Sequence, residues 1–150
     1  MIFEQTKKIN DLKKAIEIAF IDDDELLLNN FHIIKNGLKE SVNDTKENIL
    51  DFKQTYGAEY YIIKDNEEII GYCVLSNMYH FLYSFGINIE YRSKDNKKEL
   101  FNFVLEKCKG TFFCSLYNFN TRAINYLLKM GMKVIGEETA ITQLKYSVCQ

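Results

Sequence analysis

The feature that most constrains this chain is a change of hydrophobic period near residue 58. Before it, apolar residues recur at helical spacing; after it, they come in dense β-rich runs parted by turn residues. Leu12, Ala15, Ile16, Ala19 and Phe20 make an i, i+3, i+4, i+7, i+8 stripe, with Asn10 placed to cap that helix. A second stripe, Leu27, Phe31 and Ile34, follows the acidic run Asp22–Glu25, whose carboxylates suit a helix start, and Gly37 ends it. Asp44 and Glu47 have capping-box spacing ahead of Ile49, Leu50 and Phe52, with Gly57 as the stop.

Beyond the switch, EYYIIKDNEEIIGYCVLS reads as a hairpin turning around Lys64–Asp65–Asn66–Glu67. His80 to Ile89 is aromatic and aliphatic enough to be a central strand. Ser93 and Asp95 can cap a helix that carries Leu100, Val104 and Cys108 on one face and closes at Gly110. TFFCSLY is a short buried strand. Asn118 or Asn120 then caps a helix bearing Ala123, Ile124, Leu127 and Leu128, ended by Gly131, and MKVIGEETAITQLKY gives a last strand pair broken near Gly136 and Glu137. Helices, three strands, a helix, a strand, a helix and two strands make an α/β or α+β sheet, and 150 residues make one domain.

Charge and cysteine use narrow the partners. Lys and Arg number 19 against 21 Asp and Glu, a net charge of -2, which argues against nucleic acid. MIFEQTKKIN has no apolar signal core, and no apolar run reaches membrane-spanning length, so a cytoplasmic protein without membrane association is expected. Cys73, Cys108, Cys114 and Cys149 are scattered, with no metal-ligand spacing; buried reduced thiols and no structural metal are expected.

Three stretches carry a resemblance: IIGYCVLS, FGINIEYRSKDNKKELFNFVLEKC and NFNTRAINYLLKMGMKVIGE. In that order they resemble the GNAT N-acetyltransferase superfamily, over roughly residues 58–146. The resemblance implies a mixed, mostly antiparallel, twisted central sheet flanked by helices. It also implies transfer of an acetyl group from acetyl-coenzyme A to a primary amine of a small molecule or peptide. A non-catalytic GNAT-like module that binds acyl-coenzyme A or a protein partner is the alternative, and either is compatible with a homodimer.

The same resemblance assigns residues. Ile87, Asn88 and Ile89 would be the strand that meets the amide-rich pantetheine, with a backbone N–H near Ile87 facing the oxyanion. Arg92, Ser93, Lys94, Asp95, Asn96 and Lys97 would be the pyrophosphate loop at a helix start, and Asn120 would lie beside the pantetheine. The loop lacks the family's two small residues, and Asp95 brings bulk and a like charge; Lys94, Lys97 and Lys98 can compensate. The family's usual acid, a Tyr four places after Ala123, is Leu127 here, with Tyr126 one place early. His80 is the candidate base, Tyr83 a candidate cleft residue on the opposite strand face, and Tyr126 the candidate acid. For all three, structural packing is the competing role. The acidic run Asp22–Glu25 is either an exposed helix cap or an attractor for a cationic amine acceptor, such as a polyamine or amino sugar.

Overall fold

The computed structural model describes residues 1–20, 57–118, 120–138 and 141–147. The helices expected between residues 27 and 56, with the acidic run before them, lie outside these. In chain order the described elements are β1 (Ile2–Gln5), α1 (Ile9–Phe20), β2 (Glu59–Asp65), β3 (Glu68–Ser76), β4 (Phe81–Ile87) and a 3-10 turn (Ile89–Tyr91). There follow α2 (Lys94–Lys107), β5 (Thr111–Tyr117), α3 (Thr121–Lys129), β6 (Lys133–Glu137) and β7 (Ile141–Ser147). The described strands form one mixed sheet in the order β1-β2-β3-β4-β5-β7-β6, and among them only β4 and β5 run parallel. The expected mixed, mostly antiparallel sheet flanked by helices is what forms.

Alternation along β2 and β3 explains the two layers. Tyr60, Ile62, Tyr72 and Val74 point to the face covered by Leu12, Ala15, Ile16 and Ala19 of α1. Tyr61, Ile63, Cys73 and Leu75 point to the other face, where Leu100, Phe101 and Val104 of α2 and Leu127 of α3 complete the larger core. The β2–β3 turn has two central residues, Asn66 and Glu67, both with positive φ (47° and 67°), the backbone that matches hairpin twist.

Local signals end the helices as well. Ser93 Oγ accepts from Asn96 N at 3.1 Å and caps α2, so the cap is Ser93, with Asp95 in the first turn. At its other end the Lys109 and Gly110 amides reach back to the carbonyls of Glu106 and Leu105, the Schellman pattern, with Lys109 itself at φ 59°. Gly131, at φ 104°, closes α3 in the same way.

Four expectations are corrected. Strand β1 is absent from the periodicity reading because it has four residues and only one, Phe3, is turned inward, stacking at 4.1 Å on Phe103 of α2, while Glu4 pairs at the surface with Lys64 of β2. Asn10 lies inside α1, which begins at Ile9. The central strand runs from Phe81 to Ile87, so His80 falls in the turn before it, at φ 53°. Asn88 and Ile89 fall beyond its end, in the 3-10 turn and its cap.

Candidate functional site

The site is built where β4 and β5 part. Their parallel pairing involves two residue pairs among the described residues, Phe81 with Phe113 and Leu82 with Cys114. The next residue, Tyr83, is the extra one in a bulge: Val74 of β3 faces Ser84 while Leu75 faces Leu82. Past the bulge, Ser84 to Ile87 remain laddered to β3 but pair with no strand on the β5 side among the described residues, so that edge of β4 opens onto a wedge.

At the wide end of the wedge the chain passes from Ile87 to the N-terminus of α2. Asn88 N donates to Ile70 O at 2.7 Å, and its side chain donates to Ile18 O at 2.9 Å while accepting from Glu90 N at 3.0 Å. Arg92 donates from Nε to Ile87 O at 2.6 Å and from its terminal nitrogen to Ala19 O at 3.2 Å. Asn96 Nδ2 donates to Tyr91 O at 2.9 Å. The side chains of Asn88, Arg92 and Asn96 are therefore spent on carbonyls of the loop and of the last turn of α1. The cap itself takes the Asn96 and Lys97 amides, which leaves the Lys94 and Asp95 amides at the first turn of α2, beside the amines of Lys94 and Lys97. Close packing holds this end together: a Cβ on Gly71 would lie 2.2 Å from Gly86 O, and one on Gly86 would lie 3.0 Å from Ala19 Cβ.

Helix α3 supplies the third wall. Asn120 caps it, its Oδ1 accepting from Ala123 N at 3.4 Å, whereas Asn118 accepts from Thr142 Oγ1 at 2.6 Å. Tyr126 reaches across to β4 and α2, with its ring 6.1 Å from that of Phe85 and its hydroxyl donating to Lys97 O at 2.5 Å. Burial pushes this phenol well above its ordinary range.

A family comparison fits this geometry. The sequence matches the family model described as acetyltransferase (GNAT) family over residues 27–132, more than two thirds of the chain. The chain belongs to the GNAT acetyltransferase family. A search of curated proteins returns no match. Among solved structures, a Pyrococcus horikoshii protein superposes with TM-score 0.70 at 15% identity, covering 99% of both chains. The PaiA N-acetyltransferase of Thermoplasma acidophilum, in complex with coenzyme A, gives 0.65 at 18% identity, covering 98% of this chain and 99% of that one. A spermidine N-acetyltransferase mutant from Vibrio cholerae gives 0.61 at 13% identity, covering 97% and 94%. At these identities the likeness shows a shared fold.

Within the GNAT fold, the residues singled out from the sequence separate into two groups. Ile87 to Lys97 and Tyr126 gather at the wide end of the wedge, and Tyr83 lies at its apex. Asn120 is the cap of α3. His80 is elsewhere: it sits at the opposite end of β4, with Nδ1 2.6 Å from the carbonyl of Cys108, the C-cap of α2. Six residues of strand separate it from Ile87, a distance of about 20 Å. Leu127, aligned with the family's acid, is core at 1% exposure. Sequence reading missed the Tyr83 bulge, which leaves no composition signal, and the inward use of Arg92, which depends on α1 lying alongside.

Proposed function

We propose that this chain is a coenzyme A-dependent N-acetyltransferase acting on a primary amine, working in the cytoplasm. The observation that carries the reading is the two-residue contact between β4 and β5, which leaves a strand edge open beside a helix N-terminus. A strand edge suits an amide-rich chain, and a helix N-terminus suits a pyrophosphate. Acetyl-coenzyme A would supply an activated acyl carbonyl when bound there.

The chain's own residues then have limited tasks. The Lys94 and Asp95 amides at the start of α2, with Lys94 and Lys97 side chains as flexible charges, hold the phosphate end. Backbone N–H groups on the open edge of β4 beyond Tyr83, without a strand partner among the described residues, offer donors to an oxygen that gains charge. The phenol of Tyr126 stays protonated and holds α3 against α2. Orientation is the main contribution of such a site: an acceptor ammonium that yields its proton to water attacks as the free amine, and the departing thiolate takes up the proton lost from nitrogen, so no dedicated side-chain base is needed. A cationic acceptor is supported by the spermidine N-acetyltransferase likeness and by the four consecutive carboxylates Asp22–Glu25, which lie outside the described residues. Free thiols on Cys73, Cys108 and Cys114 support a reducing compartment.

Calorimetry and thermal shift with acetyl-coenzyme A, followed by thiol release with an amine panel, test this reading. Saturable binding with amine-dependent release is expected. Flat calorimetry at millimolar ligand would sink it. Binding without release from any amine would instead select the non-catalytic module, which the bulky, acidic Asp95 in the loop favours.

A further inference from the structure

A cavity of about 420 Å³ opens at the turn end of the sheet and is lined by Gly57, Glu59, Asn77, Met78, His80 and Lys109. It lies at the C-terminus of α2, a helix of 14 residues, and so about 20 Å from the Ser93 cap at the cofactor end. It is a different place from the wedge, and nothing in the acetyl-transfer reading uses it.

Three of its lining residues have left-handed backbone: Gly57 at φ 61°, His80 at 53° and Lys109 at 59°. That of Lys109 follows from the helix stop described above. That of His80 has no such cause; it turns the imidazole back onto α2, where Nδ1 meets the Cys108 carbonyl at 2.6 Å. A carbonyl only accepts, so Nδ1 carries the hydrogen, and in the neutral imidazole that leaves Nε2 as the acceptor. Glu59 lines the cavity with a carboxylate that the Tyr61 hydroxyl also meets, and its buried Oε2 has no hydrogen-bond partner among the described residues. Its charge is felt locally: after burial it is the next cause that pushes the Tyr61 phenol up to about 12 and the Cys108 thiol up to about 11. The negative end of the α2 dipole points the same way. Lys109 is the opposing charge, but it is exposed at the rim, and no ion pair joins it to Glu59 among the described residues.

We propose that this cavity binds a small primary ammonium ion. Its N–H donors go to the Glu59 carboxylate, to Nε2 of His80 and to the amide oxygen of Asn77, and its alkyl part lies against Met78. An orphaned carboxylate oxygen, an imidazole fixed as an acceptor and a helix C-terminus all call for a donor-rich cation.

The test uses the full chain without cofactor, labelled at its methionine methyl groups, and follows the Met78 resonance. Propylammonium chloride should shift Met78 saturably and leave Met130 and Met132 in place, while sodium propionate and potassium chloride at equal ionic strength should not. Glu59→Gln should weaken binding about tenfold or more. Lys109→Gln, at the exposed rim, should tighten it about twofold by removing a like charge. Should Glu59→Gln fail to melt cooperatively, Asn77→Asp replaces it and should tighten binding. No saturable shift means a water-filled cavity and ends the proposal. So does a shift with propionate, or weaker binding in Lys109→Gln, which would mean that an anionic or zwitterionic ligand is taken instead.

Discussion

The hydroxyl of Tyr126 donates to the main-chain carbonyl of Lys97 and thereby ties α3 to the first turn of α2, at the point where the candidate cofactor site begins. The ring completes the tie by lying against Phe85 of β4. A phenol whose proton is committed to a carbonyl, and whose ionisation burial opposes, has the makings of a positioning group, the role that Tyr126→Phe tests against that of an acid.

Tyr126→Phe should therefore keep the ring packing and lose one hydrogen bond, about 1 kcal/mol, or a drop in Tm of about 2–4 °C. In the acetyl-transfer reading, KM for acetyl-coenzyme A rises several-fold while kcat stays within about twofold, because α2 is less well placed. Steady-state kinetics decide it: a collapse in kcat at unchanged KM would make Tyr126 the acid and refute the tie.

Arg92 is predicted to act inward. Its guanidinium bridges the Ile87 carbonyl of β4 and the Ala19 carbonyl at the end of α1. Arg92→Ala should cost about 1.5–3 kcal/mol, since two charge-assisted bonds are lost and their acceptors are left half-buried. Urea unfolding measures that cost. Affinities for coenzyme A and dephospho-coenzyme A should fall by the same factor, because the side chain is aimed at no phosphate. A selective loss for coenzyme A would show that Arg92 turns outward to the 3′-phosphate.

Most of the element order was legible because it rests on local chemistry. Ser93, Asn120, Gly131 and the Asn66–Glu67 turn each act within a few residues of their own position, so the sequence carries them whole. What was hidden depends on partners far along the chain. Strand β1 exists because Lys64 and Ile63 of β2 and Phe103 of α2 are there to receive it. The bulge that ends the β4–β5 contact concerns which β3 residue faces Ser84, a matter of register that no residue type announces. His80 illustrates the same limit: it reads as the first residue of a strand, yet a hydrogen bond to the end of α2, 28 residues on, accompanies its place in the turn.

Gly71→Ala tests how tightly the cofactor end is packed. An added Cβ would lie 2.2 Å from the Gly86 carbonyl oxygen and 3.0 Å from Ile87 Cα, both backbone atoms of the adjacent strand. Neither can move without opening the β3–β4 ladder, so overpacking should cost at least about 2–3 kcal/mol. The melting temperature should fall by about 5–10 °C. A variant as stable as the parent would mean that β3 and β4 can separate here without cost.

Alkaline stability offers the last prediction. Burial first, and the Glu59 charge second, raise the Tyr61 phenol from its ordinary 10 to about 12. Burial likewise lifts Tyr72, whose hydroxyl lies 2.6 Å from Ser84 Oγ, and Tyr126, both well above the ordinary range. Below pH 10 these phenols are neutral in the folded and the unfolded chain alike, so they impose no pH dependence there. Above it the unfolded chain gains by ionising while the folded one still holds its protons, so stability falls as pH rises from about 10 towards 12. For Tyr61 alone the loss across that window is on the order of 2 kcal/mol. Urea midpoints should be level from pH 8 to 9.5 and then decline, in the same window where lysines also titrate. Tyr61→Phe isolates the phenol: its midpoint should decline less steeply than that of the parent, by the Tyr61 share. Parallel curves for the two proteins would show that Tyr61 ionises as freely in the fold as outside it.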